Sequence, residues 1–155
     1  MADPTKTQSV AAQTPTVRNC VCFNSRQAAR AITGMYDDVM APIGLKITQF
    51  AILATIHRDT EPTMQALAAE LGVDPSTMTR TLRPLVNEGV VDILAGTDGD
   101  RRVKRLSLTS LGRYKLGQGH QLWQDAQREL ADKIGPEVFD RLIGDLSAVT
   151  KALRD

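Results

Sequence analysis

The sequence predicts a mainly α-helical fold with a small β-wing, a winged helix-turn-helix flanked by further helices. Three observations predict it. Met64 to Leu71, a tight Gly72-Val73 turn and Pro75 to Glu88 read as two short helices in succession. Two stretches, Val90 to Leu94, where apolar residues alternate weakly as in a half-buried strand, and Val103 to Leu108, bracket the turn sequence Thr97-Asp98-Gly99-Asp100 and read as a hairpin. The helices on either side carry more apolar stripe than so small a domain can cover. They are therefore expected to pair with a second copy, as the dimerisation helices of an intertwined homodimer.

Composition sets the frame. The 155 residues suit one folded domain with a tail. The formal net charge is only +1, so attraction for a polyanion must come from where the cations lie, not from their total. No apolar run has the length of a membrane span, and Met1 to Thr16 lacks the apolar centre of a secretory signal. The expected location is the cytoplasm. Cys20 and Cys22 are too close for an ordinary disulfide within one chain and too few for a structural zinc site. No metal and no cofactor are expected.

Taken in order, residues 1–19 are rich in Thr, Gln, Ala and Pro and read as a flexible arm. Cys22, Arg26, Ala29, Ile32, Tyr36 and Val39 share one stripe of a first helix from about Cys20 to Ala41, which Pro42 and Gly44 end. A second helix starts near Thr48 and is apolar on every side from Phe50 to Ile56, as befits a central buried helix. Thr63 caps a third helix, with Met64, Leu67, Ala68 and Leu71 facing inward. Thr109 caps a long helix running to about Lys133, interrupted by Gly117 and Gly119, which permit a bend or a close crossing. After Gly135, Pro136 opens a last helix with Phe139, Leu142, Ile143, Leu146, Val149 and Leu153 in register. The folded part is thus residues 20–155: dimerisation helices at 20–45 and 109–155, and a winged-helix lobe at 46–108.

The chemistry sits between Asp74 and Leu108. Asp74 is a good N-cap and Pro75 suits the first helical position. Met78, Leu82, Leu85 and Val86 mark the buried side. The other side carries Ser76, Thr77, Thr79, Arg80 and Arg83, and Gly89 closes the helix. Pro84 inside this helix either bends it or marks where it leaves a partner's surface. Val103, Leu106 and Leu108 are assigned to the core. Arg101, Arg102, Lys104 and Arg105 put cations on the hairpin, diluted by Asp92, Asp98 and Asp100. A polar, cationic helix fits the major groove of double-stranded DNA, and a basic hairpin tip reaches the adjacent backbone or minor groove. A two-fold dimer would space two such helices by about 34 Å, one DNA turn.

From about Cys22 onward these residues resemble the MarR family of bacterial winged-helix regulators. The resemblance rests on Gln49-Phe50, Leu67-Ala68 through Leu71-Gly72-Val73, and Thr79-Arg80 with Leu82 and Leu85-Val86. Asp100-Arg101-Arg102 follows, then Leu106, Leu108-Thr109 and Gly112. It implies a dimer on a pseudo-palindromic operator, repression by default, and release by a small aromatic or phenolic effector. Arg102 matches the wing arginine that enters the minor groove, and Asp100 the acid that orients it. On the expected DNA face, Arg80 and Arg83 suit base reading while the hydroxyls suit phosphate. Arg26, Arg30, Tyr36 and His57 are the candidates for the effector site. Arg26 and Arg30 suit dimer or surface ion pairs somewhat better than an effector carboxylate.

Cys22, Arg30, Tyr36 and Gln49 fall where the organic-hydroperoxide branch of the family has its reactive cysteine, an arginine, a tyrosine and a glutamine. Arg26 and Ile47 stand where that branch has further tyrosines. An alternative is therefore an oxidant-sensing repressor using Cys22, with Arg26 favouring the thiolate; otherwise both cysteines are small packing residues. A thiol enzyme is disfavoured, because neither His57 nor His120 lies in a catalytic motif. A winged helix that binds protein instead of DNA is disfavoured by the arginine-tipped wing.

Overall fold

The computed structural model describes residues 17–95 and 103–154. The chain divides into two compact units, residues 1–34 and 35–155. In the first, a short 3-10 turn at Val17–Asn19 leads into the start of α1 (Val21–Met40). The Asn24 side-chain amide donates to the carbonyl oxygens of Arg18 (2.7 Å) and Cys20 (2.9 Å), which fixes the turn against the helix. The flexible arm expected over residues 1–19 therefore does not reach Val17–Asn19; its remainder lies outside the described residues.

The second unit holds the remainder of α1, a 3-10 turn at Ala41–Ile43, and α2 (Ile47–Asp59), α3 (Met64–Glu70) and α4 (Pro75–Asn87). Strands β1 (Val91–Ala95) and β2 (Lys104–Leu108) follow, then α5 (Ser110–Ile134) and α6 (Pro136–Ala152). β1 and β2 pair antiparallel, with Val91 opposite Leu108 and Ala95 opposite Lys104. A bridge between Thr63 and Arg105, with the Leu106 N–H donating to the Pro62 carbonyl (3.0 Å), brings the segment before α3 onto the outer edge of β2.

The core lies between α2, α3, α4 and the roots of the hairpin. Leu53, Leu67, Met78, Leu82, Leu85, Val90, Val91 and Leu106 are almost entirely buried there. The all-round apolar α2 is central, as its sequence predicts: Phe50, Ile52, Leu53, Thr55 and Ile56 are all buried. Its first turn is held from two sides. The Gln49 side chain accepts from the Lys46 N–H (2.9 Å), and Asp37 at the end of α1 accepts from the Ile47 N–H (2.8 Å). The glycines of α5 resolve differently. A side chain at Gly119 would meet the Phe50 ring at 2.7 Å, so this glycine permits a close crossing of α5 over α2, while Gly117 faces open space.

Two sequence expectations need correction. Val103 is not a core residue but stands 37 % exposed, just before β2. β1 begins at Val91 and does not alternate as a half-buried strand: beyond Val91 all its residues are exposed, Ile93 and Leu94 included. β2 lies against α2 and buries Leu106 and Leu108, whereas β1 meets α4 at its root and has no layer beneath its outer half. Among the described residues, no single helix is long and apolar enough to cross a membrane.

Candidate nucleic-acid interface and effector groove

α3 and α4 are joined by a turn that the sequence specifies closely. The Thr63 hydroxyl caps α3 by accepting from the Ala66 N–H (3.1 Å). Gly72 takes φ +64°, and the Val73 N–H returns to the Ala68 carbonyl (3.0 Å), closing α3 with a left-handed residue that favours glycine. Asp74 then caps α4, accepting from the Thr77 N–H (2.9 Å) and from the Ser76 and Thr77 hydroxyls. These hydrogen bonds, the Ser76 hydroxyl's first, hold the Asp74 carboxyl well below the usual carboxylate range. At the far end Gly89 (φ +67°) closes α4, with the Val90 N–H donating to the Leu85 carbonyl (2.8 Å).

This capped rod has two distinct faces. Met78, Leu82 and Leu85 are buried in the core. Ser76, Thr79, Arg80 and Arg83 are exposed and Thr77 is half-buried. Ser76 to Arg83 spans about 10 Å along the axis, comparable to a major-groove width of about 12 Å. The hydroxyls are already engaged: Thr79 donates to the Pro75 carbonyl (2.8 Å), while Ser76 and Thr77 donate to Asp74. Among the described residues, neither Arg80 nor Arg83 has an ion pair or side-chain hydrogen bond. The two guanidinium groups are therefore the donors this face has to offer. Arg58, by contrast, is held by Asp59 (2.6 Å) and Glu70 (3.1 Å). These contacts, led by the Asp59 hydrogen bond, raise its pKa and lower that of Asp59.

On the hairpin, Asp100, Arg101 and Arg102, with the turn from Thr97, lie outside the described residues. The Arg105 guanidinium donates to the Glu61 carbonyl (3.1 Å) and is thereby tied to the segment between α2 and α3. That contact secures a turn in which Thr60 (φ 50°) and Glu61 (φ 60°) are both left-handed, a strained arrangement for residues with a Cβ. Thr109 joins the hairpin's roots to the helices. Its hydroxyl donates to the Gly89 carbonyl (2.7 Å) and accepts from the Gly112 N–H (3.0 Å), and its own N–H donates to the Val90 carbonyl (3.2 Å).

The effector candidates separate. Arg26, Arg30 and Cys22 are exposed on the part of α1 that belongs to the first unit. Tyr36 is buried, with its hydroxyl donating to the Gln127 side chain, and burial pushes its pKa up. His57 lines a groove in the second unit, of about 500 Å³, with Phe50, Ala54, Arg113, Leu116 and His120. Arg113 and His120 were not singled out from sequence. The available signal was spacing: positions 113, 116, 117 and 120 follow one face of α5. Arg113 is oriented by donating to the Leu108 carbonyl (2.6 Å).

The sequence pattern of the MarR family matches residues 45–104. Comparison with curated protein sequences gives no match. Among solved structures, the transcriptional regulator MosR of M. tuberculosis in complex with DNA is 38 % identical. The alignment covers 88 % of this chain and 99 % of that one, with a TM-score of 0.73. A mutant MarR from E. coli, complexed with operator DNA, is 25 % identical over 86 % of this chain and 96 % of its own, at a TM-score of 0.76. The PcaV regulator of Streptomyces coelicolor, in complex with its natural ligand, shares the fold at 14 % identity, covering 89 % and 96 % with a TM-score of 0.79.

Proposed function

Because the chain belongs to the MarR family and is a DNA-binding transcriptional regulator, we propose that it is a cytoplasmic homodimeric repressor without catalytic chemistry, released from a pseudo-palindromic operator by a small aromatic anion. The observation that carries the DNA reading is the exposed face of α4, with Arg80 and Arg83 free of partners among the described residues, above a buried apolar face. Arginine forks pair with guanine O6 and N7, at about 1–3 kcal/mol of discrimination per good pair. Ser76, Thr77 and Thr79 frame this face, with their hydroxyl protons used within the helix. Asp100, Arg101 and Arg102 on the wing add backbone or minor-groove contacts.

Dimerisation falls to residues 20–45 and 109–155, and the winged-helix lobe to 46–108. Support comes from α6, where no residue is buried and Ile143, Leu146, Val149 and Leu153 stand exposed along one stripe. The groove lined by His57, Arg113 and His120 suits the effector: Phe50 and Leu116 provide apolar walls and Arg113 a fork for a carboxylate. Arg26, Arg30 and Tyr36 then act in the dimer interface or the helix packing. An effector releases the operator only if it binds better to the geometry that misfits DNA.

The test begins with selecting bound sequences from random duplexes and titrating the best one. Arg80→Ala and Arg83→Ala are expected to weaken binding and relax sequence choice, and Arg102→Ala to cost affinity with little loss of choice. Full binding by Arg102→Ala would remove the wing assignment. Benzoate-class acids should release the operator from wild type and not from Arg113→Ala.

A second reading has its own observation. Cys20 and Cys22 are free, exposed thiols at the start of α1, with Arg26 one turn beyond Cys22. An oxidant-sensing repressor using Cys22 predicts that hydroperoxide lowers DNA affinity in wild type but not in Cys22→Ser. Unchanged affinity in both ends this reading.

A further inference from the structure

Lys115 lies on α5, apart from both the exposed face of α4 and the residues that line the effector groove. Its side chain is only 19 % exposed. The ammonium donates to the carbonyl oxygen of Ile43 (3.1 Å), the last residue of the 3-10 turn that leads into α2. It also lies 3.8 Å from a carboxylate oxygen of Glu88, the residue that ends α4. A largely buried ammonium needs such partners, because desolvation without them is costly.

The end of α4 has two intrinsic weaknesses. Pro84 has no N–H, so the Arg80 carbonyl lacks its usual partner within the helix. Glu88 places a carboxylate where unpaired carbonyls already make the helix end negative. Lys115 supplies the counter-charge at that end and is anchored through Ile43 to the scaffold.

We propose that Lys115 is a positioning residue for DNA reading: it ties the end of α4 to α5 and to the Ala41–Ile43 turn, and so sets the angle at which Arg80 and Arg83 meet the duplex. This rests on the reading of α4 as the recognition helix. Lys115 touches no DNA in this scheme. Its removal therefore lowers affinity without removing a phosphate contact.

The experiment uses the full chain and an operator selected from random duplexes, with affinity measured by fluorescence anisotropy over a range of salt concentrations. Lys115→Met is expected to bind about tenfold more weakly with an unchanged slope of log K against log salt, because that slope counts neutralised phosphates. Lys115→Arg should retain most of the affinity. Lys115→Met combined with Glu88→Gln should recover about threefold over Lys115→Met, since the uncompensated carboxylate is gone. Thermal melts report folding, and Lys115→Gln is read by the same criteria if Lys115→Met does not fold. Wild-type affinity in the folded variant, a slope reduced by about one, or no recovery in the double variant overturns the proposal. Arg80→Ala and Arg83→Ala run alongside: full binding by both would remove α4 as the recognition helix, and the proposal with it.

Discussion

Three glycine-to-alanine substitutions in the same helix are predicted to have different energetic outcomes. Gly117 lies in the interior of α5, and a Cβ built there meets nothing within 4 Å. Gly117→Ala should therefore stabilise by about 1 kcal/mol, the difference in helix propensity. At Gly119 the new methyl group would sit 2.7–2.8 Å from two carbons of the buried Phe50 ring. Overpacking of that kind costs about 1–3 kcal/mol, so after the propensity gain the net loss is about 0–2 kcal/mol. At Gly112 the obstacle is the Val90 carbonyl oxygen. Backbone cannot rotate away as a side chain can, and this oxygen also accepts from the Thr109 N–H (3.2 Å). Strain near the upper end of that range, about 3 kcal/mol, and a hydrogen bond worth about 1 kcal/mol are offset by about 1 kcal/mol of propensity, leaving about 3 kcal/mol. Urea denaturation followed by circular dichroism, at one fixed protomer concentration, measures all three. The expected order of stability is Gly117→Ala, wild type, Gly119→Ala, Gly112→Ala. A destabilised Gly117→Ala or a neutral Gly112→Ala would refute the close approaches from which the order is worked.

The remaining predictions concern the cap and the apolar stripe. Asp74→Ala removes the acceptor that closes the first turn of α4, so its urea midpoint should fall and its DNA affinity weaken, while Asp74→Asn retains part of both. Because the folded Asp74 titrates below its unfolded value, its contribution is fully present above about pH 4 and is lost as pH falls further through the folded pKa. The stability difference between wild type and Asp74→Ala should therefore shrink on acidification below pH 4. A difference that grows there would exclude the cap as its source. Ile143→Asp and Leu146→Asp place charges on the exposed stripe of α6. Sedimentation velocity should find monomers at micromolar concentration, with operator binding lost in parallel.

The local devices were legible in the sequence because each acts within a few residues. Asp74 and Thr109 cap the helices they precede, and Gly89 turns left-handed where its helix stops. The inward stripe of Met78, Leu82 and Leu85 needs only the helical repeat. What the sequence hid depends on which segments meet. Val103 looks apolar enough for a core, yet nothing in its own stretch reveals that only Leu106 and Leu108 are buried there. The convergence of His57, Arg113 and His120 needs α2 and α5 to cross closely. Arg105 reads as one more cation for a polyanion until the Thr63 bridge brings Glu61 beside it. Exposed serines and threonines read as free donors until the cap takes up their protons.

The fastening at Thr109 has a consequence for how such proteins diversify. One hydroxyl stitches the close of α4 to the opening of α5, so the two legs of the ribbon are knotted together at their base. Lengthening or shortening the chain between Ala95 and Val103 then leaves the helices below the knot in place. Evolution can vary that stretch without re-solving the fold.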